Sequence, residues 1–533
     1  NAGSALNLPK GTITLNNTSQ LTVTSAATGT GGGAATFVLG ESPGSDINLT
    51  VNGSAVLNRT GGNTVVSGTS QNQGALQIGR AATGTVIMNG GTINVASTDL
   101  GRGVNNTSAQ NGTLTIKTGA TYNNEGDFRM AFAGGASGQA TLNLQGGALN
   151  IGTTTARTLV IGTFDGSQAA ITIDSGNLNL NTNSSIRFNA SGNVGTKVIN
   201  LNGGAITSFS DNKTTANGSG VVDMMQASSS ATNTFNLNGG TLTVRQVVST
   251  ANAGNRIFNF NGGTLKATGN STAFFNLGTG GTARANVRNS GAVIDTNSFD
   301  VTVAQALLHS DIGGDNASDG GLSKQGSGTL TLTNTNTYTG KTTVTGGSLV
   351  LGSAGSISNS SESALNGGNF NVSAVAGFST GASQSLTGHN GSVTGDITIN
   401  GTLAIGSSPG TMTFNDDLTI GGSAVSNFEI TDIAFGVSTY DLAQSGIGSQ
   451  TVTFGGSLNL LFSGGTYANN STVQIFNFEN YIGNFASVNF SGLGVGQSAV
   501  FDSSTGFVTV VPETEAALLG GVGMLLLLRR RPG

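Results

Sequence analysis

The chain has no cysteine and no tryptophan, and only two of its 533 residues are histidine. Without thiols there are no disulfides, no thiolate metal ligands and no Cys–His nucleophile pair. Charged residues make up 8%, against the usual share of about 25%. The surface must therefore be solvated by Ser, Thr, Asn and Gln. A formal charge of −5 and a pI near 5.0 leave no basic footprint for nucleic acid. Scarce charge with abundant glycine could mean disorder, but disorder pairs low hydrophobicity with high charge. Here the hydrophobic share is 36% and the mean hydropathy +0.04. The apolar run Ala516 to Leu528 would reach about 20 Å as a helix, short of the roughly 30 Å of a bilayer core.

What is present is glycine, 86 residues of it, set in a recurring phrase. Val86-Ile-Met-Asn-Gly-Gly-Thr-Ile-Asn-Val95 returns as Leu142-Asn-Leu-Gln-Gly-Gly-Ala-Leu-Asn-Ile151, and as Ile199-Asn-Leu-Asn-Gly-Gly-Ala-Ile206. Phe235-Asn-Leu-Asn-Gly-Gly-Thr-Leu-Thr-Val244 and Phe258-Asn-Phe-Asn-Gly-Gly-Thr-Leu265 follow. Alternation with period two marks strands with one buried face, and Asn-Gly-Gly supplies a tight corner. A second element recurs as Leu76-Gln-Ile-Gly, Leu100-Gly, Phe128-Arg-Met-Ala, Leu159-Val-Ile-Gly and Ile186-Arg-Phe-Asn, with steps of 24, 28, 31 and 27 residues. Such a period indicates stacked repeats, because one unit cannot bury its apolar strip alone. Gly-Gly turns also join antiparallel hairpins, but a hairpin sandwich has no need of the longer unit. The expected fold is all-β, a parallel β-helix (β-solenoid).

Gly321 to Gly352 contains Gly-Thr-Leu-Thr-Leu332, Asn336-Thr-Tyr-Thr-Gly340 and Gly347-Ser-Leu-Val-Leu351. It resembles the autotransporter-associated β-strand repeat, which implies coils of a right-handed β-helix in passenger regions at the cell surface. No alternating segments of the kind an outer-membrane barrel needs are visible, so the export route is not taken from that resemblance.

The C-terminus carries its own pattern: Val511-Pro-Glu-Thr514, the apolar run 516–528, then Arg529, Arg530 and Arg531. The run reads as the hydrophobic part of a processing signal, and the arginines would stay on the cytoplasmic side. These residues resemble the PEP-CTERM sorting signal of Gram-negative bacteria. Pro512, Glu513 and Arg529 to Arg531 match it, while Thr514 replaces the second proline. The resemblance implies a short apolar sorting helix in transient membrane contact and removal of the tail by an exosortase. The mature protein would then be extracellular or on the outer surface. Asn1 reads as the start of a trimmed chain whose leader lies upstream.

Five regions are expected: β-solenoid over 1–300, an acidic, Gly-rich connection over 301–320, and more solenoid over 321–415. A C-terminal β-rich cap, for instance a small antiparallel sheet, is expected over 416–510 and the sorting signal over 511–533. A cap is needed because a solenoid exposes an unpaired sheet edge at each end.

Candidate sites are few. Asp311, Asp315 and Asp319 supply oxygens that could serve Ca²⁺, which takes six to eight, but the spacing matches neither an EF-hand nor the Gly-rich nonapeptide. A solvated loop is the plainer reading. Asp416-Asp417 reads as a strand start. His309 ends a short apolar segment and His389 sits in a loop, so neither points to catalysis. Thr-x-Thr runs such as 329–345 suggest an ice-binding ladder, but Asn and Ser interrupt them, and Thr is in any case a good strand residue.

The reading is a non-enzymatic, rod-like surface or matrix protein in a structural or adhesive role, as in a biofilm, without a cofactor. Its polar faces would contact extracellular polysaccharide at many weak points. Two alternatives stand beside it: a self-assembling homo-oligomeric fibre, and a polysaccharide lyase or hydrolase. The enzyme would need acids such as Asp165, Asp174 and Asp223 to converge on one face.

Overall fold

The structure is a computed structural model. It describes residues 10–24, 37–40, 44–60, 75–102, 110–132, 138–162, 166–181, 183–188, 195–208, 220–227, 230–406, 409–434, 437–464 and 467–513. Among these every regular element is a strand, and no helix is long and apolar enough to cross a membrane. The chain divides into two compact units, Asn1–Gly340 with Ala354–Asn359, and Lys341–Ser353 with Ser360–Gly533.

The first unit is a parallel β-solenoid with three sheet faces. On the first face Lys10–Leu15, Asp46–Val51, Thr83–Met88 and Gln110–Lys117 pair in parallel, one coil to the next. The ladder continues through Gly138–Ile151, Gln168–Leu180, Thr196–Leu201, Thr232–Leu237 and Asn255–Phe260. The Asn-Gly-Gly corner leads each coil onto the second face, where Gly91–Val95, Ala120–Asn124 and their successors stack likewise. Ala75–Ile78, Ser97–Leu100, Phe128–Met130, Thr158–Ile161 and Ser185–Phe188 form the third face. These are the short elements expected from the sequence, and their parallel register removes the hairpin alternative.

Alternation explains the core. On the first face Leu49, Val86, Leu114, Leu142, Ile171, Ile199, Phe235 and Phe258 fall in one register column, and none is exposed. Full burial of each such side chain is worth about 1.5–3 kcal/mol. Phe235 and Phe258 stack with ring centroids 5.0 Å apart, and the next position in the column is the small Ala285. The corner needs glycine where coils touch. At Gly204 (φ 67°) a Cβ would collide with the carbonyl oxygen of Gly176 in the coil below, and at Gly240 (φ 62°) with that of Gly204.

Coil lengths vary more than the sequence steps suggest. Ladder contacts link residues 36 and 37 positions apart at the N-terminal end, and 27 to 29 in the middle. The extra residues of the longer coils enter between the second and third faces, as between Val56–Thr60 and Ala75–Ile78.

Two of the expected boundaries are corrected. The stretch 301–320 is not all connection, because Val301–Val303 and Leu307–His309 are coil strands paired to Ser271–Asn276 and Thr282–Val287. In the second unit parallel coils run well past 416. Thr402–Ile405, Val425–Ala434, Ser457–Phe462 and Ser487–Ser491 stack in turn, as do Ile397–Ile399, Leu418–Ile420, Thr451–Phe454 and Asn480–Gly483. The phenylalanines that change the texture of the sequence lie inside these coils. The antiparallel closing sheet is confined to Thr472–Gln474, Gln497–Asp502 and Phe507–Pro512.

Candidate functional site: amide ladders on the outer faces

In the phrase Ile-Asn-Val or Leu-Asn-Ile the asparagine lies between two inward residues and must face out. Stacking in register then places asparagines of successive coils side by side. On the second face Asn94 donates its side-chain amide to Asn58 Oδ1 at 2.7 Å and Asn123 to Asn94 at 2.8 Å. Asn150 donates to Asn123 at 2.8 Å and Asn179 to Asn150 at 2.9 Å. A second ladder runs Asn236 to Asn200, Asn259 to Asn236 and Asn286 to Asn259 at 2.7–2.8 Å on the first face. A third follows the corner, where Asn202 donates to Asp174 and Asn238 to Asn202, each at 2.9 Å. Beside them Thr85, Thr113 and Thr141 form a partly exposed hydroxyl row.

Each rung uses one amide N–H and one carbonyl lone pair, out of two of each. On the second face what remains reaches solvent from Asn94, Asn123, Asn150 and Asn179 at the strand spacing of about 4.8 Å, whereas Asn259 and Asn286 of the first-face ladder are buried. The second face thus carries a repeating donor–acceptor array with little charge. The asparagines were legible as outward residues; which would become neighbours depended on coil length.

The acidic loop is built otherwise than a cation site. Asp315 accepts a two-pronged contact from Arg288 at 2.8 Å on each oxygen and a bond from Ser310 at 2.5 Å. The Arg288 bonds hold its carboxyl below the ordinary value against the cost of burial. Asp319 faces His309 Nδ1 at 2.8 Å and accepts amide bonds from Thr339, Gly340 and Gly321. Burial pushes its carboxyl up, but these bonds hold it below the usual value. Asp311 pairs with Arg284 at 3.1 Å. The three acids thus go to three different partners, and no group of three His, Asp or Glu side chains suited to a metal is found among the described residues.

Asp174 lies at the corner between the first two faces, where it accepts from Asn202. Asp223 is on the third face, holding the amide and hydroxyl of Thr250 at 3.0 and 2.6 Å. Asp165 lies outside the described residues. The His389 ring lies 3.0 Å from the side-chain amide of its exposed neighbour Asn390. Val511 and Pro512 are strand residues opposite Ser498 and Gln497, and the Glu513 amide bonds to Gly496. Thr514, the apolar run 516–528 and Arg529 to Arg531 lie outside the described residues, and with them the expected sorting helix.

Buried charges were missed by the sequence reading. Lys324 follows the inward column of Leu265 and Ile294, and its Nζ bonds to Thr296 Oγ1, Gln325 O and Gly326 O at 2.6–3.2 Å. Burial lowers its pKa to about 8. Arg256, also inward, bonds to the carbonyls of Leu277, Ala253 and Gly280. In both cases the signal was a basic residue in phase with apolar ones.

A family model described as the passenger-associated transport repeat matches residues 322–351. That match covers Leu322–Gln325 and Thr329–Leu332, which pair with Ala292–Asp295 and Val301–Val303 in the first unit. It also covers Thr342–Val344 and Ser348–Leu351, which pair with Glu362–Asn366 and Asn369–Asn371 in the second. No curated protein and no solved structure matches the chain. The matched repeat and the parallel β-solenoid together fit a passenger-type protein, secreted or exposed at the cell surface.

Proposed function

We propose that this chain is a non-enzymatic surface or extracellular-matrix protein of a Gram-negative bacterium whose outer faces hold extracellular polysaccharide. We infer further that an exosortase-type enzyme removes the tail beyond Val511. The observation that carries the first reading is the amide ladder of the second face: beyond the bonds within it, one amide donor and one acceptor per coil reach solvent from Asn94 to Asn179. Single contacts of this kind are weak, but a polymer that engages many at once gains avidity through effective concentration. With charged residues at 8%, such binding has little electrostatic share to be screened. The tail reading is supported by Pro512, Glu513 and the terminal arginines in sequence.

Native protein from the medium and membrane fractions of producing cells tests both parts. The C-terminal peptide, read by mass spectrometry, should end near Val511–Thr514. The same protein should co-sediment with the cells' own extracellular polysaccharide, equally from about 50 to about 500 mM salt. An intact Arg529–Arg531 tail in the membrane fraction would sink the processing reading, and absence of co-sedimentation the polysaccharide reading.

A further inference from the structure

The second unit carries an open groove of about 460 Å³ on the outer side of the sheet formed by Thr402–Ile405, Val425–Ala434, Ser457–Phe462 and Ser487–Ser491. Its floor is another amide ladder, Asn459 donating to Asn427 at 2.9 Å and Asn489 to Asn459 at 3.0 Å. Next to the amides the alternation breaks. Leu460 points inward, yet Leu461 follows it on the outer face and is 48% exposed; Phe490 stands in the inward column with Phe428 and Leu460 and is 40% exposed at the last coil. On one side the groove is lined by Glu429 and Asp441, next to the antiparallel hairpin of Val425–Ala434 and Val437–Tyr440. Asp441 fixes its base, accepting the backbone amides of Gly410 at 2.9 Å and Glu429 at 2.7 Å.

We infer that this groove is a binding site for a neutral, linear glycan lying along the stack of coils, with a sugar ring on Leu461 and its hydroxyls on the Asn427–Asn459–Asn489 ladder. The inference rests on the polysaccharide reading above and names its principal site and ligand class. Three features support it. The amides recur once per coil, at about 4.8 Å, so a ligand that repeats along the groove meets an equivalent group at every step. The apolar side chain of Leu461 beside the amide row suits a ring with a C–H face and a hydroxyl rim, as ligand sites combine apolar lining with a few placed polar groups. The charged side chains lining the groove are the acids Glu429 and Asp441, with no Lys or Arg among them, which disfavours uronates and sulfated sugars. An extended peptide is a poorer fit to the floor, since strand addition needs a free sheet edge: Val425–Ala434 and Ser457–Phe462 are paired on both sides, and a strand added to Ser487–Ser491 would lie beyond the ladder rather than along it.

The test is a panel of neutral glycans (β-1,3-, β-1,4- and α-1,6-glucan, mannan and galactan) and acidic ones (polygalacturonate, alginate and hyaluronate). Their binding to the full chain is measured by affinity electrophoresis, for wild type and for Asn459→Ala, Leu461→Asn, Asn123→Ala and the control Val495→Asn. At least one neutral glycan should bind in preference to all acidic ones. Leu461→Asn and Asn459→Ala should each weaken it by about tenfold or more, with unchanged thermal melting for the surface change Leu461→Asn; Val495→Asn, at an exposed apolar residue outside the groove, should leave it intact, and Asn123→Ala should weaken it less than Leu461→Asn. Preference for an acidic glycan would overturn the inference. So would loss on Asn123→Ala with none on Leu461→Asn, though the broader polysaccharide reading would survive. Binding of no member of the panel, nor of the cells' own polysaccharide, would overturn both.

Discussion

The two units use one repeat to solve different problems. In the middle of the first unit every coil has a neighbour on each side, and its interior is a column of aliphatic residues such as Leu114, Leu142, Ile171 and Ile199. The C-terminal part of the second unit must close the stack, and its interior changes to aromatic. Phe454 lies 4.9–5.4 Å from the rings of Phe476, Phe485 and Phe501. Phe501 comes from the antiparallel sheet, so this cluster ties the closing sheet to the last coils. Rings also stack inside the lattice, as Phe235 does on Phe258 in one register column, but at the closure they come from different elements and fill the irregular gap where repetition stops.

The largest expected effect is at that cluster. Phe476→Ala, at a position with no exposure, should cost about 3–5 kcal/mol and release the closing sheet first. Hydrogen exchange should show lost protection over 472–512, and the freed sheet edge should promote aggregation. Leu142→Ala in the first unit should cost about 2–5 kcal/mol, with lost protection centred on the coils around 114 and 171, because repeats couple to their nearest neighbours. Equal spread of the damage in both variants would remove the contrast between lattice and closure.

Gly204→Ala should come next. A left-handed backbone with a Cβ costs about 1–2 kcal/mol, and the collision with the Gly176 carbonyl adds to it. Gly377→Ala is the control: its φ is also positive, at 63°, but nothing lies within 4 Å of the new Cβ. Urea unfolding should show a clear deficit of Gly204→Ala relative to Gly377→Ala. Parity would mean that the coils separate freely at the corner.

The units should also differ in response to pH. Burial pushes the Asp441 carboxyl in the second unit up to about 6, although amide bonds from Glu429 and Gly410 oppose it. A raised acid contributes stability that is fully present below its unfolded value near 4 and lost as pH rises through about 6. Lys324 in the first unit is lowered to about 8, so its contribution is present above about 10.5 and lost as pH falls through 8. Each contribution is up to about 3 kcal/mol. Hydrogen exchange from pH 4 to 10, corrected for intrinsic rates, should show the second unit losing protection between 4 and 6 and the first gaining it between 8 and 10. Asp441→Asn and Lys324→Met should flatten the respective slopes.

Local pattern carried the solenoid because each coil repeats a short, in-phase alternation. Leu76, Phe128, Leu159 and Ile186 were legible as one recurring element, and they do share a face. Partnerships across coils were not legible, since they depend on how many residues each corner adds. Asp311, Asp315 and Asp319 looked like one cluster, yet their partners Arg284, Arg288 and His309 come from other positions in the stack. The groove had a readable mark in the doubled Leu460-Leu461, a break in phase that gains meaning only once Asn427, Asn459 and Asn489 are aligned.

The smallest effect distinguishes ladder from lattice. Asn123 gives one bond to Asn94 and takes one from Asn150, both at the surface, where net hydrogen-bond contributions are about 1 kcal/mol. Asn123→Ala should cost about 1–2 kcal/mol because water can satisfy the two amides it abandons. Asn123→Thr, with better strand propensity, should recover part of that loss. If the alanine variant instead cost as much as Leu142→Ala, the ladders would be a principal support of the stack rather than a surface laid upon it. In that case their value as a free donor–acceptor array for a glycan would fall accordingly.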